Sequence, residues 1–130
     1  SKKRPSKAPP PVRNLSILQH LIKSYKAWNE LRHHLPKQTR YTLAEKVDIL
    51  FIETLECIFK AQYASAHEKL IILKTANSKF DTLKFFLQLL WETKSLSNRH
   101  YELLSAQLAV IGKMLGGWLK QSLKQNSPAH

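Results

Sequence analysis

The sequence has few of the residues that interrupt helices, form disulfides or build metal sites. It holds three glycines and, away from its two ends, a single proline, Pro36, so little in the interior would break a helix. Cys57 is the only cysteine, which excludes an internal disulfide and a cysteine-rich zinc site. No apolar run approaches the roughly 18 residues of a membrane span, and no signal peptide is recognisable. We therefore expect a cytoplasmic protein that does not enter a membrane.

Acidic residues are also scarce. The chain has 9 acidic residues against 21 basic ones, which gives a formal net charge of +12. The first 13 residues hold five of the basic residues and no acid, but the rest of the chain still has 16 basic against 9 acidic residues. An excess spread in this way is typical of proteins that contact phosphates or acidic partners, and the alternative is a surface that serves solubility alone.

The chain divides into three parts by composition. Residues 1–13, with their basic and proline-rich sequence, are predicted to be a disordered arm that either tracks phosphates or serves only as a linker. Residues 14–124 show a helical period, and residues 125–130 are predicted to be a loose tail. Because the links between the helical segments are short, the sequence predicts an all-α, up-down antiparallel four-helix bundle. The four helices are expected at about 15–35, 42–63, 66–94 and 98–121.

Three helix starts have recognisable capping residues. Thr42 with Glu45 and Ser65 with Glu68 each have the spacing of a capping box, and Ser97 is placed to cap the last helix. The polar residues 37–40 are predicted to be an irregular connection after Pro36. These signals predict where three of the four helices begin.

Apolar residues recur at steps of three and four along each helix, as bundle packing requires. Gly116 and Gly117 interrupt the stripe of the last helix late, and they are expected either to end the helix or to allow the close approach of another backbone. The four predicted core stripes are Leu18, Leu21, Tyr25, Trp28 and Leu35; Leu43, Val47, Leu50, Thr54, Ile58 and Ala61; Leu73, Ala76, Phe80, Leu83, Leu87 and Leu90; and Tyr101, Leu104, Leu108, Ile111, Leu115 and Trp118.

The second and third helices carry more large apolar residues than one stripe needs. Ile49, Ile52 and Phe59 lie off the main stripe of the second helix. On the third helix the residues that lie off the stripe, and that we predict to form a subunit interface, are Ile71, Phe85, Phe86 and Leu89. The alternative is that both sets widen the internal stripe of a thick bundle.

No pattern of residues indicates catalysis. The six histidines are scattered, no Glu-x-x-His pair recurs on two helices, and neither a nucleophile elbow nor a phosphate-binding loop is present. We therefore predict no catalytic residues, no metal and no cofactor. The remaining signal is the set of basic residues, which suit phosphates and acidic surfaces. The candidates for binding nucleic acid or a partner are Lys37, Arg40, Lys74, Lys79, Lys84 and Lys94.

Several strings in the sequence resemble one family. They are Tyr25-Lys26-Ala27-Trp28, Leu35-Pro36-Lys37, the stretch 40–46, and the stretch 111–119 with its Gly-Gly-Trp. The first three are similar to the four-helix-bundle family that includes the 23S rRNA intervening-sequence proteins. The last resembles the accessory variability determinant (Avd) proteins of diversity-generating retroelements.

The resemblance implies a homopentameric ring that binds a reverse transcriptase and its template RNA, with DNA also open, and supports mutagenic copying without being the polymerase. It also implies a partner-binding role for Lys84, although one turn later the family often has a second basic residue where this chain has Gln88. The alternative function is a structural RNA-binding protein of the intervening-sequence type that has no polymerase partner. A helical enzyme with an unrecognised site is a third possibility.

Overall fold

The computed structural model describes residues 12–127, with side chains from residue 16 onward, and this part of the chain forms helices and no strand. Each long helix packs against two others: α3 contacts α1 and α4, and α5 contacts α4 and α1. Short turns join successive helices, so neighbours run antiparallel and the predicted all-α four-helix bundle is confirmed. The helices are α1 Val12–Arg32, α2 Lys37–Arg40, α3 Leu43–Ala61, α4 Ala66–Glu92 and α5 Asn98–Gln125.

The ends of α1 differ from the prediction. The helix begins at Val12, so the last two residues of the predicted arm belong to it, and the remainder of that arm lies outside the described residues. The helix ends at Arg32, three residues early, because the amides of His34 and Leu35 bond to carbonyls within the last turn. Residues 37–40 were expected to be irregular but form the one-turn helix α2.

The caps predicted at Ser65 and Ser97 are confirmed, whereas the capping box at Thr42 is wrong. Ser65 and Glu68 exchange side-chain and backbone hydrogen bonds at the start of α4, and Ser97 accepts from the amide of His100. Thr42 does precede the first residue of α3, but its hydroxyl donates to the carbonyl of Gln38 at 3.1 Å. The preceding turn of α2 supplies that carbonyl, so the hydroxyl is oriented away from the amides of α3.

The last helix is longer than predicted. It continues through Gly116 and Gly117 to Gln125 without interruption, and a methyl group built on either glycine would meet no neighbouring atom. Beyond it, the side-chain amide of Asn126 donates to the carbonyl of Ala66 at 3.0 Å and thereby joins the end of α5 to the start of α4. The prediction of a loose tail from residue 125 is therefore wrong for residues 125 and 126, and residues 128–130 lie outside the described residues.

The core contains most of the predicted stripes. All six predicted positions of α4 are buried, as are five of six in α3 and five of six in α5. In α1 the buried face is rotated: Ile17, Leu21, Ser24 and Trp28 point inward, while Leu18 and Tyr25 are half-buried. The indole of Trp28, on the buried face of α1, stacks on the ring of Phe51 with the two ring centroids 6.3 Å apart.

A small polar network joins α1 to α3 at the edge of the core. The carboxylate of Asp48 accepts a hydrogen bond from the indole nitrogen of Trp28 at 3.3 Å and pairs with the guanidinium of Arg32 at 2.8 Å. Burial, and then the nearby Asp48 carboxylate, raise the pKa of Tyr25. Asp48 therefore holds three groups of α1 against α3.

We expect Asp48→Ala to lower the free energy of unfolding by about 2–3 kcal/mol, because it leaves a half-buried guanidinium and a buried indole N–H without their acceptor. Asp81→Ala is the matched control, since Asp81 is exposed and pairs only with Lys84 on its own helix, and we expect a change within about 0.5 kcal/mol. Urea unfolding of both variants measures the difference. Equal losses would show that the α1–α3 network contributes no more than a surface pair.

Candidate nucleic-acid and partner interface

Three of the six predicted cations meet at one end of the bundle. This end is formed by residues 33–42 and 93–97, which include no acidic residue, and we name it the basic end. The hydroxyls of Thr39 and Ser95 lie 3.2 Å apart, so α2 packs beside the turn that follows α4. The basic side chains thus brought to one end are Lys37, Arg40 and Lys94.

The basic end has both fixed and free cations. Arg40 is half-buried and its Nε donates to the carbonyl of Leu35 at 3.2 Å, which orients the guanidinium. Lys37 and Lys94 are exposed, and neither forms an ion pair with any residue between 16 and 127. Both are therefore available to a phosphate or a carboxylate of a partner.

Lys94 has an unusual backbone conformation. Its φ is 65°, the one positive φ among the non-glycine residues that the structure describes. Its amide bonds to the carbonyl of Trp91, and the amide of Ser95 bonds to that of Leu90, which is the hydrogen-bond pattern of a Schellman motif. Glycine is the usual residue at this position, and another residue costs about 1 kcal/mol there. Lys94 therefore combines a strained backbone with an exposed ammonium.

The other three predicted cations do not form one surface. Lys79 lies at the contact between α3 and α4, where its ammonium pairs with Glu53 at 3.0 Å. Lys84 lies on the opposite flank of α4, beside α5, and its ammonium is 3.5 Å from Asp81 and 5.2 Å from the centre of the Phe80 ring. Lys74 is exposed. The bundle therefore separates three lysines that follow one another at steps of five along α4.

The outer face of α4 carries exposed apolar side chains. Ile71 and Phe85 are 54% and 57% exposed, and Leu89 is half-buried. Phe86 differs from the expectation because it packs against the core. The uncharged residues between these positions include Thr75 and Thr82, whose hydroxyls donate to carbonyls of their own helix. The face from Ile71 to Leu89 therefore presents apolar side chains and hydroxyls whose hydrogens are already donated, with the exposed Lys74 and Asp81 at its edge.

The outer face of α3 carries a second exposed apolar stripe. Ile49, Ile52, Phe59 and Tyr63 are all exposed, and they recur with the steps of a helix face. Tyr63 was not among the predicted off-stripe residues because it lies in the turn after α3. Its ring nevertheless packs edge-on against the ring of Phe59, with the two ring centroids 5.5 Å apart. Its spacing of four residues from Phe59 was the available signal.

An exposed aromatic pair lies next to the basic end and was also missed. The rings of Trp91 and Tyr101 stack with centroids 4.8 Å apart and planes 8° from parallel. Tyr101 had been assigned to the core stripe of the last helix, but it is half-buried and lines a groove between α4 and α5 of about 510 Å³. The sequence gives no signal for this contact because its two residues belong to different helices.

The described residues offer no arrangement that suggests a reaction. Between residues 12 and 127, no three histidine, cysteine, aspartate or glutamate side chains come together as they would around a metal ion. Burial raises the pKa of the Cys57 thiol, which makes it a poor nucleophile at neutral pH. In the same part of the chain, no helix combines the length and the hydrophobicity of a membrane span.

Comparisons with known proteins give one family and one fold. The model of a family described as bAvd-like matches residues 16–122. Among solved structures, the chain is similar to a crystal structure of a protein of unknown function from the S23 ribosomal protein family of Bacteroides thetaiotaomicron, with a TM-score of 0.76 and 17% sequence identity. The similarity covers 83% of this chain and 98% of that chain, and at this identity it shows the fold alone. No curated protein matches the chain.

The conformation of Lys94 leads to a prediction that separates stability from binding. Lys94→Gly should raise the free energy of unfolding by about 1 kcal/mol because glycine adopts a positive φ without steric cost. The same change should weaken binding to nucleic acid because it removes an exposed ammonium from the basic end. Chemical unfolding and a binding titration at low salt measure the two effects.

Lys94→Ala is the matched control, since it removes the same charge without relieving the backbone. It should weaken binding as much as Lys94→Gly does and leave the stability unchanged or slightly lower. If both variants bind as tightly as the original chain, Lys94 has no part in binding.

Proposed function

The chain belongs to the bAvd-like family, and from this membership we propose that it is a non-catalytic accessory factor of a diversity-generating retroelement. In this role it forms an oligomeric basic platform that binds the reverse transcriptase and the template RNA, or the DNA copied from it, during mutagenic retrohoming. Membership of the family supports an accessory role. The identity of the partners rests on the resemblance of the sequence to the Avd proteins.

The observation that carries this proposal is the distribution of apolar residues. The bundle already has a core of 22 buried hydrophobic residues, so the exposed side chains on α3 and α4 are not needed to complete it. An exposed apolar face of this kind is typical of a surface that binds another protein. Two such faces on adjacent helices suit a subunit that binds one copy of itself through each face.

Self-association would combine the two faces in a simple way. If the outer face of α4 in one subunit meets the outer face of α3 in the next, the contact is heterologous, and repetition around an axis closes a ring. The resemblance to the Avd proteins implies five subunits. Each added copy also brings another basic end, so the ring would concentrate positive charge and bind phosphates with a strong dependence on salt.

We expect Phe85→Lys to dissociate the oligomer, because it places a charge in the centre of the apolar outer face of α4. The fold should survive, since Phe85 is exposed and lies outside the core. Gln19→Lys is the matched control: it adds the same charge at an exposed position of α1, far from either apolar face. Native mass spectrometry gives the number of subunits. An unchanged oligomer in Phe85→Lys would place the subunit interface elsewhere, and a monomeric original chain would remove the platform from the proposal.

The partnership with a polymerase is tested by copurification with a cognate reverse transcriptase. Lys84→Glu should reduce the recovery of the polymerase about tenfold or more without changing the oligomer, because Lys84 lies on the flank of α4 next to an open groove. Lys26→Glu is the control, since Lys26 is exposed on α1, outside both apolar faces. Equal recovery with both variants would remove Lys84 from the interface. A chain that binds RNA but never the polymerase would favour the alternative function, a structural RNA-binding protein of the intervening-sequence type.

A further inference from the structure

The stacked pair of Trp91 and Tyr101 is held rigidly at the surface. The indole nitrogen of Trp91 donates to the side-chain oxygen of Asn98 at 2.6 Å, which fixes the indole ring between the end of α4 and the start of α5. Leu96, in the connecting turn, is buried and anchors that turn to the core. The two rings therefore keep their parallel arrangement without help from a ligand.

The pair is not part of the core. Trp28 and Trp118 are buried, at 0% and 3% exposure, whereas Trp91 is 36% exposed. Because Tyr101 covers one face of the indole, the exposed surface of Trp91 belongs to its other face and its edge. A flat aromatic group that stacks on the exposed part of the indole would extend the pair to three rings. Offset-stacked aromatic rings attract one another beyond the effect of the area that they bury.

The charges beside the pair favour an anion. Lys94 follows Trp91 by three residues, and the basic end adds Lys37 and Arg40. Of the acids on α4, Asp81 pairs with Lys84, whereas Glu92 accepts only from the neutral amide of Gln88 at 2.7 Å and offsets one of these three positive charges. Glu102 follows Tyr101 directly and therefore points about 100° away from it around α5. An aromatic surface next to unpaired cations matches a ligand that has both a flat ring and a phosphate.

We infer that Trp91 and Tyr101 form a platform on which an unpaired base of a single-stranded nucleic acid stacks, while the cations of the basic end bind the adjoining phosphates. The inference rests on the nucleic-acid binding of the proposed function and specifies its form. In a duplex both faces of an interior base are covered by its neighbours, so the platform selects single strands, loops and ends. Stacking uses the π-face that every base has, and the platform therefore reads little sequence.

The fluorescence of Trp91 provides a direct test. Of the three tryptophans of the chain, Trp91 has solvent access, so iodide should quench its emission and leave that of Trp28 and Trp118. We expect a short oligouridylate to quench the same emission at low salt and to protect it from iodide. A duplex of the same length should bind through its phosphates with little quenching. If the single strand and the duplex quench the emission of Trp91 equally, the selection of unpaired bases is overturned.

Variants at the platform give a second, independent test. Trp91→Ala should weaken binding of the single strand about 5- to 100-fold, the range that the loss of one stacked base gives, and should leave duplex binding within about twofold. Trp91→Phe keeps an aromatic face and should retain most of the affinity. Leu123→Ala removes an exposed apolar side chain of α5 at the other end of the bundle, on neither apolar face, and should have no effect. Circular dichroism shows that each variant keeps its helices.

The possible outcomes separate this inference from the proposed function. If the original chain binds neither single strand nor duplex, nucleic-acid binding itself fails. If it binds both and Trp91→Ala binds both equally well, the platform alone is overturned. Single-stranded RNA and DNA of one sequence are titrated in parallel. If Trp91→Ala weakens binding of one or both single strands and leaves duplex binding unchanged, the platform is supported, and the strand affected is the one that it binds. If the reverse transcriptase quenches the emission of Trp91 and neither single-stranded RNA nor single-stranded DNA does, the pair belongs to a protein interface and the inference is overturned.

Discussion

The orientation of α4 about its own axis is the constraint on which most of the surface depends. Its six buried side chains pack against both α3 and α5, and this double contact fixes the direction of every other residue on the helix. Lys79 is turned toward Glu53 on α3, Lys84 toward the groove beside α5, and Phe85 outward into solvent. The same core that stabilises the bundle therefore decides which lysines are neutralised within it and which apolar side chains are left exposed.

The turn after α4 determines how the residues of the basic end are arranged. Because Lys94 takes the left-handed position of the Schellman motif, the chain reverses within a few residues, and Leu96 returns to the core. The hydrogen bond from Trp91 to Asn98 spans the same reversal. Thr39 then contacts Ser95, which positions α2 and its two cations beside this turn. A helix end that is closed tightly thus brings cations from two separate connections, and an aromatic pair, into one region.

The sequence predicted most of the fold and less of the candidate site, for a physical reason. The core stripe of α4 and the caps at Ser65 and Ser97 depend on residues close together in the chain, so spacing alone revealed them. The failed prediction at Thr42 depended on a neighbour, since the unforeseen turn α2 offered its hydroxyl another acceptor. The stack of Trp91 on Tyr101 and the grouping of Lys37 with Lys94 depend on contacts between distant segments, which a single sequence without an alignment does not encode in any local pattern.

Several features of the surface lower the stability of the isolated subunit. A lysine at a positive φ costs about 1 kcal/mol, and each exposed glycine within α5 costs about as much compared with alanine. The apolar faces of α3 and α4 gain nothing from burial while they face water. None of these costs is repaid within the bundle, because the glycines meet no neighbour and the apolar residues lie outside the core. Under the proposed function, association would bury the apolar faces and a bound phosphate would use the lysine, whereas the glycine cost would remain. The free energy of unfolding would then depend on subunit concentration and on ligand.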